Sequence, residues 1–171
     1  MTRTAAAPPA ATFTFRDYFA RLFEHDRWAN GLVLSAMTGL GETLPPKPLG
    51  RLSHLIICQQ LWLSRLADEF DKPASIFPTW TLAETRERYE TIGGGMKQFI
   101  EMLPDADFHA HFDFTSMEGK PYRLLRRDIL TQLAEHGAYH RGQIAVEINP
   151  LLDAPLATDY VFWAWESRER A

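Results

Sequence analysis

Apolar residues recur every three or four positions along four long segments of the chain, the spacing that places side chains on one face of a helix. These segments are the predicted helices, and they cover residues 15–37, 49–70, 81–103 and 126–148. The second segment is apolar around much of its circumference, which predicts a well-buried helix. Prolines and glycines separate the segments, and the run Pro45-Pro46-Lys47-Pro48 is expected to form the loop between the first two helices.

The third helix has a start signal of its own. Thr81 and Glu84 form a capping-box pattern, in which the hydroxyl and the carboxylate satisfy free backbone N–H groups. Gly93, Gly94 and Gly95 lie in the middle of this helix, and each costs about 1 kcal/mol relative to alanine. Close approach of a neighbouring helix explains such glycines, and so does a local break. The sequence leaves both explanations open.

The pattern changes from helical spacing to alternation between the third and fourth helices. Phe108, Phe112 and Phe114 alternate with polar residues, and Glu118-Gly119 is a turn signal. This predicts a two-stranded hairpin. Four long helices with short connections predict an all-α protein, an up-and-down four-helix bundle with a small β-hairpin before the last long helix.

The length of 171 residues indicates one domain, which we assign to residues 13–171. Residues 1–12 are rich in alanine and proline and contain no apolar segment, so we expect a disordered tail and not a signal peptide. The segment 159–165, DYVFWAW, is too aromatic for a free end. We expect it to pack on the helices or on a second subunit. The tryptophans should lie in the core or at a subunit interface; they include Trp62, Trp163 and Trp165.

Charge and cysteine content exclude several classes of protein. A net charge of −4 argues against binding to nucleic acid or to an anionic membrane, because phosphate groups are bound by concentrated lysine and arginine. No apolar run is long enough to span a bilayer. Cys58 is the only cysteine, so an internal disulfide is excluded. These features predict a soluble cytoplasmic protein.

Two histidines lie four residues apart in the segment EHGAYHRGQI, residues 135–144. Side chains at this spacing share one helix face, with Cβ atoms about 5–6 Å apart. His136 and His140 can therefore converge on one metal ion, at the usual metal–nitrogen distance of about 2.0–2.1 Å. His54, near the start of the buried second helix, is the best candidate for a third ligand. The alternative is that these histidines are hydrogen-bonded core residues.

The sequence argues against two other kinds of enzyme site. Zinc proteases carry a glutamate directly after the first histidine of the pair, and this chain has Gly137 there. A serine or cysteine nucleophile is also poorly supported, because there is no Gly-x-Ser-x-Gly motif and no plausible pairing of Cys58 with a histidine.

The segment EHGAYHRGQI resembles the last-helix signature of the DinB/YfiT-like family of metal-binding four-helix-bundle proteins, a histidine, three residues and then His-Arg-Gly-Gln. Residues 25–34, 52–66 and 157–163 resemble other patterns of that family, in the same order. The resemblance implies that one divalent metal ion per chain is bound by His54, His136 and His140. Zinc and nickel are the first candidates, and iron and manganese are alternatives.

The resemblance also implies a chemistry. Family members include metal-dependent hydrolases and small-thiol S-transferases, in which the metal activates water or a low-molecular-weight thiol for attack on a small electrophilic substrate. The alternative is a non-catalytic, metal-binding stress-response protein. Family members are commonly dimers, so the resemblance further implies a homodimer.

Residues around the histidines suggest supporting roles. Arg141 is expected to anchor a carboxylate or carbonyl, or to form a structural ion pair, and Gly142 is expected to permit close helix packing. Gln143 either orients a metal ligand or forms a hydrogen bond between helices. Many family members have acidic residues where this chain has Gln59 and Gln60. A base or an amine contact supplied there in relatives is therefore expected to be absent.

Several other residues have two interpretations. Cys58 follows His54 by one helical turn, and it is either a small core residue or a soft metal ligand. His109 and His111 would share a face of a strand, either as exposed polar residues or as a second metal site. His25 and Asn30 lie near the first-helix pattern, where a structural hydrogen bond by Asn30 is expected.

Overall fold

A computed structural model describes residues 12–70 and 72–169, with the side chain of residue 169 left undescribed, so the predicted tail at 1–12 lies outside it except for Thr12. The described chain is mostly helical, with one antiparallel hairpin before the last long helix. The helices and strands are α1 Phe15–Leu40, α2 Pro46–Leu66, α3 Leu82–Met102, β1 His111–Thr115, β2 Pro121–Leu125, α4 Arg126–Ile148 and α5 Tyr160–Glu169. Three short 3-10 segments complete the assignment, at Gly41–Thr43, Asp105–His109 and Asn149–Leu151.

The predicted start of α3 is confirmed. The Thr81 hydroxyl accepts a hydrogen bond from the Glu84 N–H at 3.2 Å, and the Glu84 carboxylate accepts one from the Thr81 N–H at 2.8 Å. Both bonds satisfy N–H groups that have no partner within the helix. Thr14 and Asp17 form the same capping box at the start of α1.

The loop predicted at residues 45–48 is wrong for Pro46 to Pro48, because α2 begins at Pro46. Proline is compatible with the first turn of a helix, where its missing N–H would have no partner and its fixed φ angle is already helical. The chain instead turns at Gly41, whose φ of 53° lies in the left-handed region that favours glycine.

Helix α3 has no break at its glycines, and close packing explains Gly95 but not Gly94, where a Cβ atom would meet nothing within 4 Å. The helix is continuous from Leu82 to Met102. A Cβ atom at Gly95 would lie 2.9 Å from Leu63 Cδ2 on α2, and one at Gly93 would lie 3.5 Å from the Arg27 side chain on α1. The absence of a side chain at Gly95 therefore lets α2 and α3 approach closely.

Helix α3 runs antiparallel to α1. Near the start of α1, the Arg16 guanidinium donates to the Leu103 carbonyl at the end of α3, at 2.9 Å. At the other end, Arg86 in the first part of α3 donates to the hydroxyl of Thr38 in the last turn of α1, at 2.7 Å. An up-and-down order would make these two helices parallel.

Helix α2 runs antiparallel to α4 but parallel to α3. Arg51, near the start of α2, pairs with Glu147, near the end of α4, at 3.3 Å. The Ser53 and Thr85 hydroxyls, each near the start of its helix, lie 3.0 Å apart. The up-and-down prediction is therefore wrong at α3. The connection 67–81 is long enough to return along α2, which spans about 30 Å for 21 residues.

The four long helices enclose two apolar clusters. The first includes Phe19, Ile100, Phe108 and Leu130, and the second includes Leu34, Met37, Leu52 and Ile144. Along α1 and α4 the two clusters are separated by a stretch of buried polar residues, which contains the side chains described below. The core is thus interrupted at the level of the predicted metal ligands.

The aromatic C-terminal segment was predicted to pack either on the helices or on a second subunit, and the structure shows it packed on α1. Trp163 in α5 is 5% exposed, and its ring centroid lies 5.9 Å from that of His25 on α1. The Arg21 guanidinium lies over the Trp163 ring. Trp165 is 66% exposed, which excludes a core position, and the subunit interface that was its other predicted position stays a prediction. The helix presents different faces to the core and to solvent, and Trp165 falls on the outer one.

The predicted hairpin is confirmed, with Phe112 paired to Leu124 and a turn at Gly119, whose φ is 86°. Phe108 is not part of the alternating pattern, because it lies in the 3-10 segment and is fully buried against Phe19. Among the described residues, no helix is both long and apolar enough to cross a membrane.

Candidate metal centre

The antiparallel packing of α2 and α4 brings the three predicted histidines together. The ring centroids are 5.2 Å apart for His54 and His136, 4.9 Å for His54 and His140, and 4.4 Å for His136 and His140. One ligand nitrogen from each residue lies within 4.8 Å of the other two. The helix spacing and the choice of His54 as third member therefore agree with the structure.

Hydrogen bonds fix the orientation of two of the rings. The carbonyl oxygen of Ile76 lies 2.6 Å from His54 Nδ1, and the amide oxygen of Gln143 lies 3.1 Å from His140 Nδ1. Both partner atoms are acceptors, so each Nδ1 carries the proton and each Nε2 keeps its lone pair. This is the arrangement that metal-ligating histidines adopt.

The distance between two of the nitrogens fits a shared ion. His136 Nε2 and His140 Nε2 are 3.1 Å apart. Two nitrogens at about 2.0–2.1 Å from a tetrahedral ion lie about 3.3 Å from each other. The residues present therefore fit a divalent metal ion without a large rearrangement.

The surroundings of His136 and His140 favour the neutral form of both rings. Burial, together with the neighbouring His140 and His54, lowers the pKa of His136 to about 4. Burial and His54 also lower the pKa of His140. Neutral imidazole is the form that binds a metal, because the ring nitrogen must offer its lone pair. His136 and His140 can thus offer their lone pairs to a metal at neutral pH.

Gln143 forms the predicted hydrogen bond between helices and also contacts a histidine of the group. Its amide oxygen accepts from His140 and also from Arg51 Nη1 at 2.6 Å, so it orients a histidine and joins α4 to α2. Arg51 is held in turn by the carboxylate of Glu147. Sequence reasoning missed Arg51, although its position three residues before His54 places both on one face of α2.

Arg141 forms the structural ion pair that was one of its two predicted interpretations. The side chain is 2% exposed, and its Nη1 donates to Asp26 and, at 3.0 Å, to Asn30. Asp26 also accepts from the amides of Asn30 at 3.0 Å and Gln59 at 2.6 Å. This buried network joins α1, α2 and α4 directly behind the histidines. Asp26 was not recognised in the sequence.

Gly137, and not Gly142, permits the close approach of helices. A Cβ atom at Gly137 would collide with the Asp26 carboxylate and would lie 2.9 Å from Arg141 Nη1. A Cβ atom at Gly142 would meet nothing within 4 Å, so the expectation for Gly142 is wrong. Gly142 lies on the exposed side of α4, whereas Gly137 faces α1.

The two glutamines after His54 point away from the three histidines. The buried Gln59 side chain belongs to the Asp26 network. Gln60 lines cavities on the α3 side of α2, and its buried amide oxygen has no hydrogen-bond partner among the residues that the structure describes.

Cys58 lies beside the group but does not belong to it. Its sulfur is 3.7 Å from His54 Nδ1 and 3.8 Å from His54 Nε2. Burial raises the pKa of the thiol to about 11, so the thiol is protonated at neutral pH. The structure favours the interpretation of Cys58 as a small, partly buried residue.

The remaining histidines have structural contacts. His109 lies in the 3-10 segment beside Phe15 and Arg127, whereas His111 begins β1, so they do not share a strand face. A second metal site there is not found among the described residues.

His25 has a structural contact with the C-terminal part of the chain, because its Nε2 lies 2.9 Å from the Thr158 carbonyl oxygen and its ring contacts α5. Asn30 forms the expected structural hydrogen bond, to the carboxylate of Asp26.

The part of the chain that carries all three histidines also has a recognisable family relationship. The family model described as DinB family matches residues 49–171, which include α2, the hairpin and α4. A search of curated proteins and a search of solved structures each found no match. Since the matched region spans most of the chain and contains the whole histidine group, the chain belongs to the DinB family.

Proposed function

We propose that the chain is a metal-dependent enzyme with one divalent ion bound by His54, His136 and His140 inside a four-helix bundle. The observation that carries the proposal is the convergence of three imidazoles from two antiparallel helices, two of them with Nδ1 held by an acceptor. The four long helices support the bundle, since α1 and α2 each pack against both α3 and α4.

The ligand set supports catalysis more than storage. Three protein ligands leave coordination positions open, whereas structural zinc sites are closed by four. A metal held by neutral imidazoles keeps its full charge, which lowers the pKa of bound water or a small thiol and so supplies a nucleophile for a small electrophile. Zinc or nickel is the proposed metal, with iron and manganese as alternatives, because imidazole suits several of these ions.

The chain's own residues prepare the site. Gln143 and the Ile76 carbonyl hold two rings in the metal-binding tautomer, which removes the need to reorient them when the ion enters. The rings of His136 and His140 are only partly buried, so a small molecule can reach this side of the group. A non-catalytic stress-response protein would instead require a closed site.

Cobalt(II) substitution distinguishes these two functions. We expect cobalt-loaded protein to bind azide and 2-mercaptoethanol saturably, with a change in the visible spectrum for each. His136→Ala should abolish the initial cobalt spectrum. A wild-type cobalt spectrum that neither azide nor 2-mercaptoethanol changes would show a closed site and contradict the proposed enzyme.

A further inference from the structure

Two large aromatic rings are exposed to solvent directly beside the three histidines. Phe77 is 65% exposed and Tyr139 is 64% exposed. The Phe77 ring stacks on His54, with centroids 4.4 Å apart and planes 9° apart. The Tyr139 and His140 rings pack edge to face, with centroids 5.2 Å apart and planes at 73°. Exposed apolar groups at such a position are a sign of ligand binding, because a bound molecule would cover them.

Both rings are carried by backbone whose position is fixed. Phe77 follows Ile76, whose carbonyl oxygen is hydrogen-bonded to His54 at 2.6 Å. Tyr139 lies on α4 between the two histidines of that helix. The rings therefore flank the group from two different elements, the α2–α3 connection and α4. A ligand would meet them without a costly ordering of the chain.

The charged side chains nearest the histidines are already paired. Arg51 is bound by Glu147 and Gln143, and Arg141 is bound by Asp26. Each of these guanidinium groups already faces a carboxylate, which would compete with a carboxylate of a ligand. The surface around the histidines is therefore suited to an apolar group more than to a charged one.

We propose that Phe77 and Tyr139 select the substrate class of this site, an uncharged small molecule with an aryl or alkyl group beside the atom that binds the metal. This inference rests on the proposed function. For a thiol, the sulfur would bind as the thiolate with its proton released to solvent, and the apolar group would lie against the two rings. A highly charged thiol would gain nothing from these contacts.

The test compares two thiol probes on cobalt-loaded protein by absorption titration. Benzyl mercaptan should bind wild type about ten-fold more tightly than 2-mercaptoethanol, because each buried aromatic contact contributes about 0.5–1.5 kcal/mol. Phe77→Ala and Tyr139→Ala should each reduce that ratio about three- to five-fold, because benzyl mercaptan loses more contact with the missing ring than 2-mercaptoethanol does. Phe13→Ala, which removes another exposed ring, should leave the ratio as in wild type.

The outcomes separate this inference from the proposed function. Equal affinity of wild type for the two thiols, or an unchanged ratio in both variants, would overturn the assigned selectivity and leave the open metal site standing. Failure of wild type to bind azide or either thiol while cobalt remains bound would overturn the proposed function itself, whereas binding of azide alone would overturn only the assigned selectivity. The cobalt spectrum before thiol addition shows whether each variant keeps its site, and the exposed Tyr139 can be replaced without a loss of core packing.

Discussion

Replacing Arg141 with methionine is expected to lower the free energy of unfolding by about 3–5 kcal/mol, the cost of leaving a buried charge without its partner. Asp26 and Arg141 are 3% and 2% exposed, so water cannot replace the lost guanidinium. The amides of Asn30 and Gln59 would still donate to Asp26, but neither carries a charge. Urea unfolding of the wild type and the variant at pH 7 measures the difference.

A double variant isolates the charge from the packing. Adding Asp26→Asn to Arg141→Met removes both charges and keeps an amide oxygen that can accept from Gln59. We expect the double variant to be more stable than Arg141→Met alone. Arg123→Met is the surface control, because the Arg123–Asp113 pair is exposed, and it should change stability much less. A double variant whose loss equals the sum of the two single losses would contradict the account.

Replacing Gly137 with alanine should destabilise the protein by about 1–3 kcal/mol, the usual cost of forcing an extra methyl group into a packed interior. The new Cβ would collide with Asp26, which is held by three other side chains and cannot retreat. Relief of the collision requires α4 to move away from α1. Since His136 is the preceding residue, metal affinity should fall with stability.

Gly142→Ala is the matched control on the same helix. Its Cβ meets nothing within 4 Å, so only helix propensity changes, and this favours alanine by about 1 kcal/mol. We expect Gly142→Ala to match or exceed the stability of the wild type in the same urea titration. Equal stability of the two glycine variants would show that close packing at Gly137 does not matter.

The helices and the histidine group could be predicted because both depend on local spacing. Apolar periodicity located α4 to the residue, and the four-residue interval placed His136 and His140 on one face. The capping box at Thr81 predicted the start of α3, since the signal lies within four residues. His54 was found because it belongs to a buried helix, with the family resemblance as support.

The features that were missed depend on distant parts of the chain. Asp26 looks like an ordinary surface residue of an amphipathic helix until Arg141, Asn30 and Gln59 are known to surround it. The direction of α3 depends on the path of the connection 67–81, which periodicity does not describe. Phe77 lies in that same connection, so its stacking on His54 could not be derived from helix spacing.

The central claim is that three histidines hold one metal ion, and metal content measured by elemental mass spectrometry on tag-free protein tests it most directly. Wild type and the exposed-histidine control His111→Ala should each carry about one equivalent per chain after reconstitution, whereas His54→Ala, His136→Ala and His140→Ala should each lose it, because two imidazoles are too few for a tight site. Wild type without metal, or His54→Ala that retains a full equivalent, would contradict the three-histidine site.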